Sequence, residues 1–283
     1  MTMSTQTQTA ARANSFDVAA GRRRCLKFRR RILDLSQKVS AMHIAPAFSC
    51  LEMVDAAYFG LMRRDARGAT PDTFILSKGH GCMAQYAVLE ELGTLSADDL
   101  EAYCTPGGIL GGHPDYGIPG IEAATGSLGH GLSIAVGMAY ADRIRGDDRR
   151  VFVVVGDGEM HEGSIWEAML MAPNLRLENL VVLLDLNDFQ GLDRISEGHP
   201  NFYPMVDKVA AFGWEVVELN GHDESAIVEA VMSRRGGRPF FAIGRAVKGR
   251  GVAFMENVPI WHYRSPSPEE YREAIANLRE VGS

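Results

Sequence analysis

The sequence predicts an α/β fold, an open, mostly parallel sheet with helices on both faces. The apolar, largely β-branched stretches at residues 151–155 and 180–186 indicate strands that are buried on both faces, as is typical of parallel sheets. Strand-like runs alternate with helical patterns along the chain. This alternation predicts parallel strands joined by right-handed connections.

The remaining elements follow in order along the chain. Residues 1–14 are poor in large apolar side chains, which predicts a disordered tail, and residues 15–283 are expected to form one domain. Ser49, with Glu52 three residues later, is a candidate N-cap for a helix. A Gly/Pro-rich loop is predicted over 103–120. Further strands are predicted within 72–80, 214–220 and 239–246, and helices over 16–38, 83–92, 224–235 and 268–278.

Composition narrows the class of protein. The chain has 283 residues, 46% of them hydrophobic, and a formal net charge of -7, so no broad nucleic-acid-binding surface is expected. The four cysteines show no CxxC spacing, which favours reduced thiols in the cytoplasm. No secretory signal precedes the domain, and no apolar run approaches the roughly 20 residues that a membrane helix needs. We therefore expect a cytoplasmic protein without a membrane anchor.

Polar residues follow the two central predicted strands. Asp157, between Gly156 and Gly158, comes after the first strand, and Asn187 follows the second. The carboxyl ends of parallel strands meet at one edge of a sheet, where ligands bind. Carboxylate and amide oxygens suit a hard cation such as Mg²⁺ or Ca²⁺, and Mg²⁺ takes further ligands from phosphate groups. The pattern predicts a metal-bridged diphosphate site; the alternative is a turn with an acidic N-cap and a solvated asparagine.

The spacing of these residues resembles the thiamine-diphosphate motif of the transketolase family. The string GDGE is followed by Asn187 after twenty-eight residues, counted from Glu159 to Leu186, and the strings EGSIWEAM and FQ are also similar to that family. The resemblance implies that Asp157, Asn187 and the backbone carbonyl of Phe189 hold the metal. It also implies a thiamine-diphosphate-binding fold, with this chain as its diphosphate-binding domain.

Four histidines lie in segments that are similar to the same family. His80 ends DTFILSKGH, His113 lies in GGHP, and His262 follows KGRG and MEN. His43 corresponds to the histidine of the family's SGHxG segment, although SAMHIAP here lacks the flanking glycines. The resemblance implies that these histidines and Glu162 are catalytic. Together with the TGSLG segment, it implies a cofactor-binding set of His80, Gly126, Leu128, Gly156, Asp157, Gly158, Glu159, Asn187, Phe189 and His262.

The resemblance covers the diphosphate-binding half of a transketolase, from about residue 32 to 263. It implies an N-terminal subunit of a split transketolase, whose C-terminal partner subunit supplies the pyrimidine-binding domain, in an α2β2 heterotetramer. The implied reaction transfers a two-carbon ketol unit from a ketose to an aldehyde, with small sugars or sugar phosphates as substrates and thiamine diphosphate as cofactor.

Three alternatives remain open at this stage. A Rossmann dehydrogenase is disfavoured, because no GxGxxG string follows a first strand. An acyloin-forming thiamine enzyme that uses a 2-keto acid donor is a closer alternative. The third is a cofactor-binding or scaffolding subunit without turnover, which the altered segment around His43 motivates.

Overall fold

The computed structural model describes residues 16–281, and these form a five-stranded parallel sheet with helices on both faces. The sheet order is β1-β2-β3-β7-β6, and β4 and β5 pair antiparallel beside it. The predicted tail at residues 1–14 lies outside the described residues. The strands are β1 Thr73–Leu76, β2 Val151–Gly156, β3 Leu180–Leu186, β4 Phe189–Gln190, β5 Asp193–Arg194, β6 Glu215–Asn220 and β7 Phe240–Arg245.

Helices occupy the connections between these strands. Short 3₁₀ turns at Gly79–Gly81, Gly158–His161 and Pro259–Tyr263 carry several of the predicted site residues. The helices of the described residues are α1 Val18–Ser36, α2 Ile44–Asp55, α3 Cys82–Glu91, α4 Ala97–Glu101, α5 Gly131–Arg145, α6 Gly163–Asn174, α7 Ile195–Gly198, α8 Met205–Ala211, α9 Glu224–Met232 and α10 Pro268–Val281.

The central strands divide the core into two layers. Alternate residues of a strand point to opposite faces, so Phe152 and Val154 of β2 pack with α1, α2 and α3 on one side. Val151, Val153 and Val155 pack with α5 and α6 on the other side. This is why β2 is one uninterrupted apolar run in the sequence, and the predicted sheet class is confirmed.

Helix α2 corrects two expectations from the sequence. It begins at Ile44, so Ser49 is a buried residue in mid-helix and the prediction of an N-cap there is wrong. The helix continues through a π-helical turn, Ala56–Leu61. The 18 residues of Ile44–Leu61 are long and apolar enough to cross a membrane by length and composition alone, which corrects the expectation that no apolar run approaches that length. Because 89% of this stretch is buried inside the fold, it is a core helix.

Candidate cofactor and metal site

Asp157 and Asn187 meet at the carboxyl edge of β2 and β3. The two strands pair in parallel, with Gly156 opposite Asp185, so the residues that follow each strand are neighbours. The Asp157 carboxylate accepts backbone N–H groups from Gly158 at 2.9 Å, Asn187 at 2.8 Å and Asp188 at 2.5 Å. These contacts fix the orientation of the carboxylate at the strand ends.

The Asp157 carboxyl group is 1% exposed, and a bound cation would stabilise its ionised form. Burial and the neighbouring Asp185 raise the pKa of Asp157 to about 7, against the lowering effect of its backbone donors and of Lys78. A bound divalent cation favours the ionised form of such a group. The electrostatics therefore fit a metal ligand.

Asn187 and Phe189 complete an oxygen-rich set. The Asn187 Nδ2 donates to Ser49 Oγ and to Asp185 Oδ2, both at 3.1 Å, so the amide oxygen points the other way, where it accepts the Phe189 N–H at 3.1 Å. The Phe189 carbonyl lies against Gly158, where an added Cβ would be 3.3 Å from that oxygen. A carboxylate, an amide oxygen and a backbone carbonyl are hard-cation ligands, so the residues fit Mg²⁺ or Ca²⁺.

A cavity of about 270 Å³ brings the predicted residues together. A larger space of about 530 Å³ adjoins Asn187, but its arginines, Arg194 and Arg245, are already paired with Asp188 and Glu218. The smaller cavity is the candidate site because the chemical groups converge there. Its walls include His43 and all ten predicted cofactor-binding residues: His80, Gly126, Leu128, Gly156, Asp157, Gly158, Glu159, Asn187, Phe189 and His262.

The other three predicted histidines gather around His43. Its ring centroid lies 5.4 Å from that of His80, 6.0 Å from that of His113 and 5.3 Å from that of His262. His113 is exposed and lies beside Gly126, where an added Cβ would approach the imidazole to 2.9 Å. That glycine, at φ +142°, therefore allows the histidine to approach the TGSLG segment.

The imidazoles of His43, His80 and His262 are neutral at pH 7. Burial lowers the pKa of His43 to about 4 and that of His262 to about 3, with further lowering by Lys248, and it lowers the pKa of His80 as well. The Lys248 ammonium lies 2.9 Å from His262 Nδ1. Since an ammonium only donates, Nδ1 accepts and the proton of neutral His262 is on Nε2. The imidazoles are therefore suited to exchange protons and hydrogen bonds with hydroxyl groups.

These neutral histidines should make the fold less stable in acid. The unfolded chain binds a proton at each imidazole below about pH 6.5, whereas the folded chain does so only near pH 4 for His43. The neutral His43 imidazole therefore stabilises the fold fully above pH 6.5. This contribution is lost as the pH falls from 6.5 to about 4, by at most about 1.4 kcal/mol per pH unit for one histidine. Urea unfolding at pH 7.5 and 5.0 should show a smaller loss for His43→Gln than for the parent chain. Equal losses in both would contradict the assignment.

The two predicted glutamates differ in position. Glu159 is buried, and its carboxylate accepts from Ser77 Oγ at 2.6 Å, Gly129 N at 2.8 Å and Gly156 N at 3.3 Å. It thereby ties the turn after β2 to the loop before α5. Glu162 is exposed at the start of α6 and does not line the cavity. The structure therefore does not bring Glu162 together with the histidines.

Several cavity groups were missed in the sequence. Lys78 and Lys248 line the site, where Lys78 forms a buried ion pair with Asp185 and Lys248 donates to Gly191 O at 3.1 Å. Burial lowers the pKa of Lys248 to about 8. The one available signal was an acid inside the apolar strand 180–186, which calls for a buried partner but does not identify it.

A second buried group also has ligand-type atoms. Those of Cys25, Asp55 and Glu224 lie within 4.8 Å of one another. Asp55, however, forms an ion pair with Arg24 at 2.7 Å, and Cys25 Sγ donates to Glu224 at 3.2 Å. Burial raises the pKa of Glu224 to about 8, so this carboxyl is largely protonated at neutral pH. The cluster is satisfied internally and is a structural network.

The open parallel sheet and the oxygen-rich site at its carboxyl edge define a cofactor-binding α/β protein. Residues 28–263 match the family described as "Transketolase, thiamine diphosphate binding domain". The chain belongs to the transketolase family, through its thiamine-diphosphate-binding domain. The resemblance found in the sequence is confirmed, and the dehydrogenase alternative is excluded.

Relatives of similar length are named as parts of transketolases. The chain is 38% identical over 259 residues to an apulose-4-phosphate transketolase subunit of Phocaeicola vulgatus, covering 90% of this chain and 92% of the relative. It is 35% identical over 252 residues to the 6-deoxy-6-sulfo-D-fructose transketolase subunit SqwG of Clostridium sp. strain MSTE9, covering 87% and 91%.

Solved structures of the family show the same fold. The transketolase of Leishmania mexicana superposes with a TM-score of 0.83 at 26% identity, over 92% of this chain and 41% of that one. The transketolase of Campylobacter jejuni gives a TM-score of 0.85 at 23% identity, over 93% and 43%, and supports the fold alone. The chain thus corresponds to less than half the length of these transketolases.

Proposed function

We propose that this chain is the thiamine-diphosphate-binding, N-terminal subunit of a two-subunit transketolase. Together with a C-terminal subunit, it transfers a two-carbon ketol unit from a ketose to an aldehyde. The observation that carries the proposal is the convergence of three metal-type oxygen ligands and a histidine cluster at one cavity. Similarity along nearly the whole chain to two apulose-4-phosphate transketolase subunits supports the same function.

In the proposed complex, Asp157, Asn187 and the Phe189 carbonyl hold Mg²⁺ or Ca²⁺. The cation and Lys248 balance the diphosphate charge. Thiamine diphosphate supplies a stabilised carbanion, which is the chemistry that no side chain provides. The protein contributes binding, orientation and exclusion of water.

In this proposal, two of the histidines contact the donor substrate and the other two contact the acceptor. His80 and His113 contact hydroxyl groups of the donor, and His43 and His262 contact those of the acceptor. Because the pKa values of His43, His80 and His262 are lowered, these imidazoles enter the reaction neutral, and His43 and His80 can accept a proton from a substrate hydroxyl. The Lys248 ammonium keeps the His262 proton on Nε2, so that nitrogen is the donor toward substrate.

The partner in this proposal is the C-terminal transketolase subunit with the pyrimidine-binding domain, in an α2β2 heterotetramer. Exposed Glu162 would then face the partner and take part in proton transfer between paired sites. The names of the relatives, which are subunits rather than whole enzymes, support a partner. We place the complex in the cytoplasm, a proposal supported by the four free cysteines, three of them buried.

A donor panel tests the reaction class. The chain is mixed with the product of a neighbouring transketolase-like gene, thiamine diphosphate and Mg²⁺, and supplied in turn with ketoses, ketose phosphates and pyruvate, with an aldehyde acceptor. We expect product from a ketose or its phosphate and none when either subunit is left out. Product from pyruvate alone would instead identify an acyloin-forming enzyme, and cofactor binding without product from any donor would identify a scaffolding subunit.

A further inference from the structure

Asp185 is an acid in an otherwise apolar, fully buried strand. It is 0% exposed and contacts three side chains: Ser49 Oγ at 2.7 Å, Asn187 Nδ2 at 3.1 Å, and the Lys78 ammonium. Burying an ion pair costs desolvation energy that a well-packed apolar pair avoids. A gain in stability is therefore a weak explanation for this pair, and its contacts point to a role at the adjoining site.

The directions of these hydrogen bonds follow from Asp185. An ionised carboxylate only accepts, so the Ser49 hydroxyl donates its proton to Asp185. The Ser49 oxygen is then left to accept, and it accepts from Asn187 at 3.1 Å. The remaining Nδ2 hydrogen of Asn187 goes to Asp185 directly. Both amide hydrogens are thus committed to Ser49 and Asp185, which leaves the Asn187 oxygen on the opposite side of the amide, where it accepts the Phe189 N–H.

Lys78 connects Asp185 to the cavity wall. Its ammonium is buried, donates to Pro46 O at 3.1 Å and pairs with Asp185. The lysine, the aspartate and the serine form a continuous chain from the cavity wall to the Asn187 amide.

We propose that Asp185 is a positioning residue, which orients the Asn187 amide, directly and through Ser49, so that its oxygen faces the divalent cation. The proposal rests on the proposed function, because it takes Asn187 as a metal ligand. Residues that orient metal ligands in this way usually contribute about 10- to 100-fold to metal affinity. Asp185→Asn keeps the shape but lets position 185 donate, so the amide of Asn187 loses its fixed orientation.

The test measures Mn²⁺ binding by electron paramagnetic resonance with thiamine diphosphate, on the full chain in complex with its partner subunit. We expect Asp185→Asn to weaken Mn²⁺ binding about 10- to 100-fold. Ser49→Ala removes one of the two amide acceptors and should weaken binding about fivefold, the effect of one neutral hydrogen bond. The matched control is Asp72→Asn, which alters a buried, arginine-paired carboxylate before β1, at the opposite edge of the sheet, and should stay within about twofold.

The outcomes separate this inference from the function on which it rests. If Asp185→Asn and Ser49→Ala bind Mn²⁺ as the parent does while Asn187→Ala does not, the positioning role is wrong and the metal site stands. If Asn187→Ala also binds normally, the metal assignment fails and the inference with it. Should Asp185→Asn fail to fold, Ser49→Ala decides alone: parent-like affinity overturns the proposal.

Discussion

Asp157→Ala is expected to abolish metal-dependent binding of thiamine diphosphate. The substitution removes a proposed metal ligand and also leaves the backbone N–H groups of Gly158, Asn187 and Asp188 without their acceptor. Loss of a residue that merely orients a ligand costs about 10- to 100-fold, so loss of the ligand itself should exceed about 100-fold. Isothermal titration with thiamine diphosphate, with and without Mg²⁺, measures the effect.

A nearby aspartate provides the control for this substitution. Asp193 in β5 is exposed and does not line the cavity, so Asp193→Ala should bind the cofactor like the parent chain. The melting temperature of Asp157→Ala without cofactor shows whether the fold tolerates the three backbone N–H groups that lose their acceptor. Parent-like affinity in a folded Asp157→Ala chain would rule out the proposed metal site.

His80→Gln is expected to lower turnover about 10²- to 10⁴-fold, the usual contribution of a positioned acid or base. The imidazole lines the cavity 5.4 Å from His43 and 5.5 Å from His262 by ring centroids, and its neutral form can accept a proton. Glutamine retains a hydrogen-bonding group but cannot take up that proton. We therefore expect kcat to fall much more than cofactor affinity, measured on the two-subunit complex with its ketose donor.

His161→Gln is the matched control for that experiment. His161 is exposed, stacks on Phe202 outside the cavity and should not affect kcat. A His80→Gln complex that turns over within about threefold of the parent, with His161→Gln also unchanged, would remove His80 from the catalytic set. Equal losses in both variants would indicate damage to the fold and likewise count against a special role for His80.

The sheet and the position of its functional edge were predictable because they depend on local sequence. Strands buried on both faces must be continuous apolar runs, as β2 and β3 are, and the polar residues that end such runs must lie at the carboxyl edge. The family motif then carried the assignment from Asp157 and Asn187 to Phe189. These inferences require no knowledge of which side chains touch across the fold.

The network beneath the site was not predictable for the opposite reason. Ser49 has the composition cues of an N-cap, but it lies inside α2 because its hydroxyl meets Asp185, 136 residues away in the chain. The pairing of Lys78 with Asp185 likewise spans 107 residues. Such contacts are set by how α2 packs against β3 and by how the residues after β1 reach across β2, and no local pattern records them.

Helix α2 also has a consequence for biosynthesis. Besides α1, it contacts α3, β3, α9 and the 3₁₀ turn Pro259–Tyr263, which all follow it in the chain, so much of its apolar surface lacks cover when it leaves the ribosome. Exposed stretches of this kind promote aggregation of nascent chains. We therefore expect the growing polypeptide to depend on chaperone shielding until Tyr263, the last residue of that turn, has been translated.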